Sequence, residues 1–307
     1  MSNPQSQNLL DLSNQLARAV ARGAESIVAV HARPQLASTG VHWRDGFVVT
    51  TNGTVRRDRD VAVTLPDGTR IGAAVQGRDP ATDLAVLKVA GGALPVAAFG
   101  DAGALRPGHL VLALARVDET GPRAAFGAVS VVAGAWRPWG GGEIDRLLQS
   151  DVNLYPGFGG GPLVDTEGQV LGINSGRLSR PYTTTLPVQT VNRVLDQLAS
   201  HGYVRRGYLG AAMQPVRLQE QLRSRLGIDR DGGLLVSTIQ SDSPSAAGGL
   251  LVGDVVLAIG GKPVAEPEDV LKVLNGDTAG RTLALKLVRG GRLETVDVLI
   301  GERPRGH

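Results

Sequence analysis

Residues 151–163 read D-V-N-L-Y-P-G-F-G-G-G-P-L, with four glycines among the five residues from Gly157 to Gly161. Glycine adopts the positive backbone φ angles that other residues avoid, so the segment predicts a tight turn. Such a run alone would indicate nothing more than a turn. Residues 163–174, L-V-D-T-E-G-Q-V-L-G-I-N, follow it, and they predict two strands joined at the Glu167–Gly168 turn.

Three segments in sequence order resemble the HtrA/Deg family of trypsin-like proteases. The first stretch is similar to that family's nucleophile loop, usually D-x-x-x-x-x-G-x-S-G-G-P-L, but Gly159 stands at the serine position. Residues 45–55, D-G-F-V-V-T-T-N-G-T-V, are similar to the family's D-G-Y-I-L-T-N-N-H-V-V, which places the histidine position at Gly53. Residues 79–89, D-P-A-T-D-L-A-V-L-K-V, match a family segment whose second aspartate, here Asp83, orients the histidine.

The resemblance therefore implies a protease fold whose catalytic triad is not intact. A serine protease needs a hydroxyl nucleophile, an imidazole that takes its proton, and a carboxylate that orients the imidazole. Only the remnant Asp83 is present, because Gly53 and Gly159 have no side chains. Without nucleophile and base, well-studied triads retain only a roughly 10³–10⁴-fold effect over uncatalysed hydrolysis. We expect a proteolytically inactive pseudoprotease and no working catalytic residue.

A relocated nucleophile or base is the main alternative, and it would make the chain an active serine endopeptidase. None of the histidines lies near Gly53 in sequence; they are His31, His42, His109, His201 and His307. His42 is predicted on one face of a strand, and His109 at the start of another. A serine–lysine dyad would have to use Lys88, at the end of an apolar strand, with Ser130 or Ser150. We expect ordinary structural roles for these residues.

The C-terminal third resembles the PDZ domain that follows the protease domain in this family. Residues 205–210, R-R-G-Y-L-G, are similar to the family's R-G-Y-L-G, and Gly-Leu, Gly-Asp and Gly-Gly-Lys-Pro segments follow in the expected order. PDZ domains bind C-terminal peptides by adding a strand to a sheet edge and holding the carboxylate with backbone amides. The resemblance makes Tyr208, Leu209 and Gly210 the carboxylate loop, and a helix over 268–274 the opposite wall of the groove.

These observations predict a mostly β protein with a chymotrypsin-like double β-barrel followed by a C-terminal PDZ domain, β-sandwich-like with helices. The expected domains are an N-terminal amphipathic helix and lead-in at 1–30, the double barrel at 31–203, and the PDZ domain at 204–303. Apolar spacing predicts one helix within Leu9–Ile27 and another over Val188–Ala199, ending at His201-Gly202. The first helix either packs on its own barrel or mediates subunit contacts.

The leading functional hypothesis is an inactive HtrA/Deg-like adaptor, scaffold or chaperone-like protein that binds exposed C-termini or unfolded segments. A structural subunit that assembles with an active paralogue is a further alternative. The backbone amides of Gly157, Phe158 and Gly159 could form an anion-binding nest like an oxyanion hole. Resemblance to the family also predicts a homo-oligomer, specifically a trimer.

The composition of the chain indicates which classes of partner and cofactor to expect. The net charge is only +3 and charges of both signs alternate, so we expect no nucleic-acid binding. There are no cysteines, and we expect neither a cofactor nor a metal. Neither a signal peptide nor an apolar run of about 18 residues is visible, so the sequence predicts a cytoplasmic protein with no membrane span.

Overall fold

The computed structural model describes residues 4–34, 36–91, 94–138, 141–178, 182–274 and 278–302. The chain divides into two compact units, Met1–Val204 and Arg205–His307, and each is described by itself. The first unit holds two closed barrels of six strands each, and the second holds an antiparallel sheet of six strands, a separate two-stranded sheet of Gly207–Tyr208 and Gly301–Glu302, and short helices. The predicted mostly β architecture, with a double barrel followed by a second β unit, is confirmed.

The first barrel is built from valine-rich strands that bury their side chains in its interior. Its strands are β1 (Ile27–His31), β2 (Ser38–Arg44), β3 (Phe47–Thr51), β4 (Val61–Thr64), β5 (Arg70–Asp79) and β6 (Leu84–Val89). They are antiparallel and close in the order β1-β2-β3-β6-β5-β4. Val30, Val48, Val63 and Leu87 are fully buried in the interior, where β-branched side chains suit the pleated backbone.

The second barrel repeats this arrangement and carries the glycine-rich loop. Its strands are β7 (Leu110–Ala115), β8 (Arg123–Ala133), β9 (Leu147–Ser150), β10 (Pro162–Val164), β11 (Val170–Ser175) and β12 (Thr183–Pro187). They close in the order β10-β11-β12-β9-β8-β7. The predicted strand pair after the loop is therefore present as β10 and β11, which are antiparallel. Leu148, Leu163 and Leu171 fill the interior together with Phe158 from the loop itself.

Two helices flank the barrels. α1 (Pro4–Ala24) ends three residues before the sequence-predicted limit, because the β-branched run beginning at Ile27 forms β1 instead. Through Ala19 and Gly23 it packs beside β7 and β10. α2 (Val188–His201) ends as predicted: Gly202 has φ +77° and donates its N–H to the carbonyl of Leu198.

The second unit is built around a sheet with strand order β14-β15-β16-β18-β19, with β17 paired to β16. Its strands are β13 (Gly207–Tyr208), β14 (Ala211–Arg217), β15 (Gly232–Ile239), β16 (Val255–Ile259), β17 (Lys262–Pro263), β18 (Thr282–Arg289), β19 (Arg292–Leu299) and β20 (Gly301–Glu302). Its helices are α3 (Glu220–Leu226), α4 (Pro244–Ala247) and α5 (Pro267–Val273). β14 lies at the edge of the sheet, and α5 is the helix predicted over 268–274.

Candidate functional site

Asp83 lies at the centre of a small polar network between the two barrels. It begins the turn into β6 with φ +55°, a conformation that aspartate tolerates better than most residues. Its Oδ1 accepts a hydrogen bond from the N–H of Gly53 at 2.8 Å, and its Oδ2 accepts one from the Ser175 hydroxyl at 2.7 Å. Gly53 belongs to a single 3₁₀ turn, Asn52–Thr54, that follows β3. The carboxylate therefore holds the backbone of the histidine position although no imidazole is present.

Burial raises the pKa of Asp83 above its ordinary value. The hydrogen bonds from Ser175 and Gly53 and the positive charge of Arg177 act in the opposite direction, but desolvation is the larger effect. Asp83 is only 3% exposed. Two hydrogen bonds and the charge of Arg177 only partly offset the burial of the Asp83 carboxylate, and no imidazolium lies beside it.

The side chain of Arg177 occupies the space at Gly53 that a histidine side chain would enter. A β-carbon placed on Gly53 would overlap Arg177 Cδ and lie 3.1 Å from its Nε and 3.2 Å from its Nη1. The backbone N–H of Arg177, two residues beyond the end of β11, donates to the Ser175 hydroxyl at 3.2 Å and positions the residue here. A histidine at position 53 would require the arginine side chain to move.

The glycine-rich loop has one position that would accept a serine. Gly159 lacks a positive φ, and a β-carbon there would meet Thr54 Cγ2 at 3.5 Å and Thr51 Oγ1 at 3.7 Å, which are ordinary contacts. Its neighbours differ. Gly157 (φ +95°) and Gly160 (φ +86°) have left-handed backbones, and a β-carbon on either would overlap Val117 Cγ1 or Thr50 Oγ1, respectively.

Backbone pairing with β11 fixes the loop. The N–H of Gly160 donates to the carbonyl of Asn174 at 3.0 Å, and the N–H of Asn174 donates to the carbonyl of Gly161 at 2.9 Å. The hydroxyl of Thr39 donates to the carbonyl of Gly157 at 2.8 Å. The same strand that braces the loop thus leads directly to Ser175 and Arg177, so the vacated serine and histidine positions lie at one end of the two barrels.

The other candidates for catalysis have structural surroundings. His42 is buried in β2, with Nδ1 3.1 Å from the carbonyl oxygen of Pro95. His109 lies just before β7 rather than inside it, and Lys88 is exposed on β6. Ser130 is exposed on β8, and Ser150 is buried at the end of β9. None of these five residues contacts another in a nucleophile–base arrangement, within the part of the chain that the structure describes.

The remaining histidines give no better base. His31 Nε2 lies 2.8 Å from the Thr64 hydroxyl, but that hydroxyl is buried at the end of β4. Burial, followed by the charges of Arg70 and Arg57, lowers the pKa of His31, and no carboxylate orients it. His201 ends α2 and stacks edge-on with Tyr203, while His307 lies outside the described residues.

A groove of about 600 Å³ opens in the second unit between the carboxylate loop, β14 and α5. Leu209 is 3% exposed and packs into the core, while its carbonyl accepts the N–H of Ser245 at 2.9 Å. Gly210 has φ +76°, and its carbonyl accepts the N–H of Gln240 at 2.8 Å. The Tyr208 hydroxyl donates to Gln240 Oε1 above this loop. The wall formed by α5 is apolar and consists of Pro267, Val270, Leu271 and Leu274.

Comparisons with known proteins agree with both units. The trypsin-like peptidase domain family matches residues 38–173, and the PDZ domain family matches residues 207–300. The solved structure described as HtrA-type protease AlgW with decapeptide is 26% identical, with a TM-score of 0.77 over 94% of this chain and 99% of that chain. The chain belongs to the HtrA family. The serine endoprotease from Yersinia pestis has the same identity and TM-score, and covers 94% of this chain and 98% of its own.

Curated relatives of this HtrA-family chain are named probable periplasmic serine endoproteases, DegP-like. The protein from Pseudomonas putida strain GB-1 is 33% identical over 265 residues, which are 85% of this chain and 54% of the relative. The one from Brucella suis biovar 1 strain 1330 is 34% identical over 282 residues, 89% of this chain and 54% of the relative. The chain thus spans about half the length of the curated relatives it matches.

The relatives correct one prediction from the sequence. The expectation of a cytoplasmic protein is wrong, because the homologues are periplasmic and point to an exported protein. The absence of a visible leader was too weak a signal to support a compartment. None of the helices in the described ranges is both long and apolar enough to cross a bilayer.

Sequence reasoning missed Ser175 and Arg177. The motif match ended at Asn174, and the three residues that follow, Ser175-Gly176-Arg177, carried no family signal. Their role depends on the second barrel bringing the end of β11 to the 3₁₀ turn of the first barrel. Only their position directly after the matched strand could have drawn attention to them.

Proposed function

We propose that this HtrA-family chain is proteolytically inactive and acts by binding peptides or proteins through the PDZ groove. The observation that carries the proposal is the pair of glycines at the serine and histidine positions, with Arg177 in the space of the missing imidazole. A hydroxyl nucleophile and its base cannot be supplied by backbone atoms. An adaptor, scaffold or chaperone-like role is consistent with a binding module retained beside a degenerate centre.

The groove supports extended ligands with apolar side chains near a free C-terminus. β14 offers an edge for strand addition, and the side chains of an added strand alternate between the groove and solvent. Those that enter the groove meet the apolar wall of α5, which presents Val270, Leu271 and Leu274. The solved HtrA-type protease AlgW was obtained with a decapeptide, and we extend peptide binding to this chain on that likeness.

Peptide binding is tested with a fluorescent peptide that ends in an apolar residue, and with the same peptide amidated at its C-terminus. We expect the free carboxylate to bind and the amide to bind at least about tenfold more weakly, because a charged hydrogen-bonded group contributes roughly 1.5–3 kcal/mol. Leu271→Glu should abolish binding, since Leu271 lines the groove and is 39% exposed. Leu251→Glu, at a residue 53% exposed and outside the groove lining, is the matched control.

Proteolysis is tested separately by incubating the purified protein with unfolded casein. We expect no cleavage above that of a buffer control. Cleavage that co-purifies with the chain and survives contaminant checks would instead favour the alternative of an endopeptidase with an unusual nucleophile. Cleavage that appears only on mixing with an intact relative would favour a subunit of a mixed assembly.

A further inference from the structure

The degenerate centre retains two backbone N–H groups that face no acceptor. The N–H of Phe158 donates to the carbonyl of Tyr155, and that of Gly160 donates to the carbonyl of Asn174. Among the described residues, the N–H groups of Gly157 and Gly159 make no such bond. Backbone N–H groups at nearby positions of a turn that contains a left-handed residue form a concave site for an anion. Here the two N–H groups are separated by Phe158. Gly157, with φ +95°, supplies that left-handed residue.

Arg177 adds an uncommitted positive charge to this end of the barrels. Its side chain is exposed, and within the described part of the chain its guanidinium makes neither a hydrogen bond nor an ion pair. Asp83 is close enough for the charge of Arg177 to lower its pKa, but both Asp83 oxygens already accept hydrogen bonds, from Gly53 and Ser175. The guanidinium donors therefore remain available to a ligand.

The Asn52–Thr54 turn lies next to both Gly159 and Arg177. A β-carbon on Gly159 would touch Thr54, and one on the preceding turn residue, Gly53, would touch Arg177. Only Thr54 Cγ2 and Thr51 Oγ1, of all the described atoms beyond its chain neighbours, lie within 4 Å of the Gly159 β-carbon position, so Arg177 does not fill the serine position. Gly159 and Arg177 therefore both adjoin the Asn52–Thr54 turn, and the space at the serine position is unfilled.

We propose that this centre is a carboxylate-binding site, with the Gly157 and Gly159 amides and the Arg177 guanidinium as its donors. Arginine pairs with the two oxygens of a carboxylate in a charge-assisted, bidentate geometry. A singly charged ligand fits better than a dianion, because the nearby Asp83 carboxylate repels negative charge and Arg177 is the one cation that the described contacts place at Gly53. The carboxylate belongs either to a small organic acid or to the C-terminus of a chain lying in the cleft. The site is separate from the PDZ groove and does not depend on it.

The test uses the full chain labelled with ¹⁵N-glycine and follows amide resonances during titration with sodium acetate. The Gly159 resonance is assigned by its loss in Gly159→Ala. We expect the Gly157 and Gly159 amides to shift saturably with acetate and not with sodium chloride at equal ionic strength. Arg177→Gln should weaken acetate binding by about tenfold or more, since a charged hydrogen bond is lost. Arg59→Gln removes the same charge from an exposed loop residue and should leave binding unchanged.

A second titration distinguishes the two sources of the carboxylate. It uses an apolar peptide and its C-terminal amide, with the PDZ groove blocked by Leu271→Glu. Shifts of the same two amides by the free peptide at lower concentration than acetate would assign a chain terminus, and equal or weaker shifts would assign a small acid. The proposal is overturned if acetate moves neither amide beyond the chloride control, or if Arg177→Gln binds acetate as well as Arg59→Gln does.

Discussion

At the scale of single residues, Gly159 differs from the glycines around it. Gly159 has an ordinary backbone and room for a β-carbon, whereas Gly160 has φ +86° and a β-carbon that would overlap Thr50 Oγ1 and the carbonyl of Thr39. The glycine at 159 is therefore not needed for the fold of the loop. The contacts reveal no structural reason for a glycine at this position.

We predict that Gly159→Ser changes the free energy of unfolding of the first unit by less than about 0.5 kcal/mol. Gly160→Ser should cost about 3 kcal/mol, because a left-handed conformation costs a non-glycine residue about 1–2 kcal/mol and overpacking adds about 1–3. All three tryptophans precede residue 205, so tryptophan fluorescence in urea reports this unit. Equal losses for the two variants would contradict the assignment of 159 as an open position.

Asp83 has a structural role that can be separated from catalysis. We predict that Asp83→Ala costs about 2–4 kcal/mol, because it leaves the Gly53 N–H and the Ser175 hydroxyl without a partner and places alanine at φ +55°. Asp83→Asn preserves an acceptor and tolerates this backbone, so at acidic pH, where Asp83 is protonated, it should be close to the wild type. A large loss in the asparagine variant would show that the negative charge itself is required.

The raised pKa of Asp83 sets the sign of a pH effect. A carboxyl with a folded pKa above its unfolded value favours folding below the unfolded pKa, and this contribution is lost as pH rises through the folded pKa. Relative to wild type, Asp83→Asn should therefore become more stable as pH rises above the ordinary carboxyl pKa. Urea unfolding at several pH values measures the difference, and a difference that shrinks as pH rises would contradict the burial argument.

At the scale of secondary-structure elements, the PDZ sheet depends on an ion pair between the buried Asp254, just before β16, and the partly exposed Arg289 at the end of β18. Arg289 donates to Asp254 through Nε at 2.8 Å and through Nη2 at 2.7 Å, and Asp254 also accepts the N–H of Leu251 at 2.8 Å. Burial pushes the pKa of Asp254 upward, but the bonds from Arg289 and Leu251 outweigh it and the pKa is lowered. The charged form is thus the one that stabilises the fold.

We predict that Asp254→Ala destabilises the second unit by about 3 kcal/mol, as expected when one partner of a buried pair is removed. Hydrogen exchange at the β16 and β18 amides would report this loss. The exposed Asp297→Ala on β19 is the control and should change little. Because the folded pKa of Asp254 is depressed, its contribution is present above the ordinary carboxyl pKa and disappears as pH falls through the folded value. Equal protection in the two variants would refute the pair's role.

At the scale of the whole molecule, the two barrels could be predicted from three ordered motifs, and the PDZ domain from a separate series of segments that begins at Arg205. The ends of the helices were less certain: α1 ends at Ala24 since the β-branched residues from Ile27 pair in the barrel. The role of Arg177 could not be predicted, because it arises only when the end of β11 is placed beside the turn after β3. Contacts between distant segments leave no local pattern in one sequence.

The most direct test of the account is fluorophosphonate labelling of the wild type and a series of restored variants. We predict no labelling of the wild type or of Gly53→His with Gly159→Ala. Gly53→His with Gly159→Ser should label weakly, and the same pair with Arg177→Ala should label faster, because the arginine no longer competes with the histidine for space. Labelling of the wild-type chain at a mapped serine or threonine would contradict the claim that this protein lacks a working protease centre.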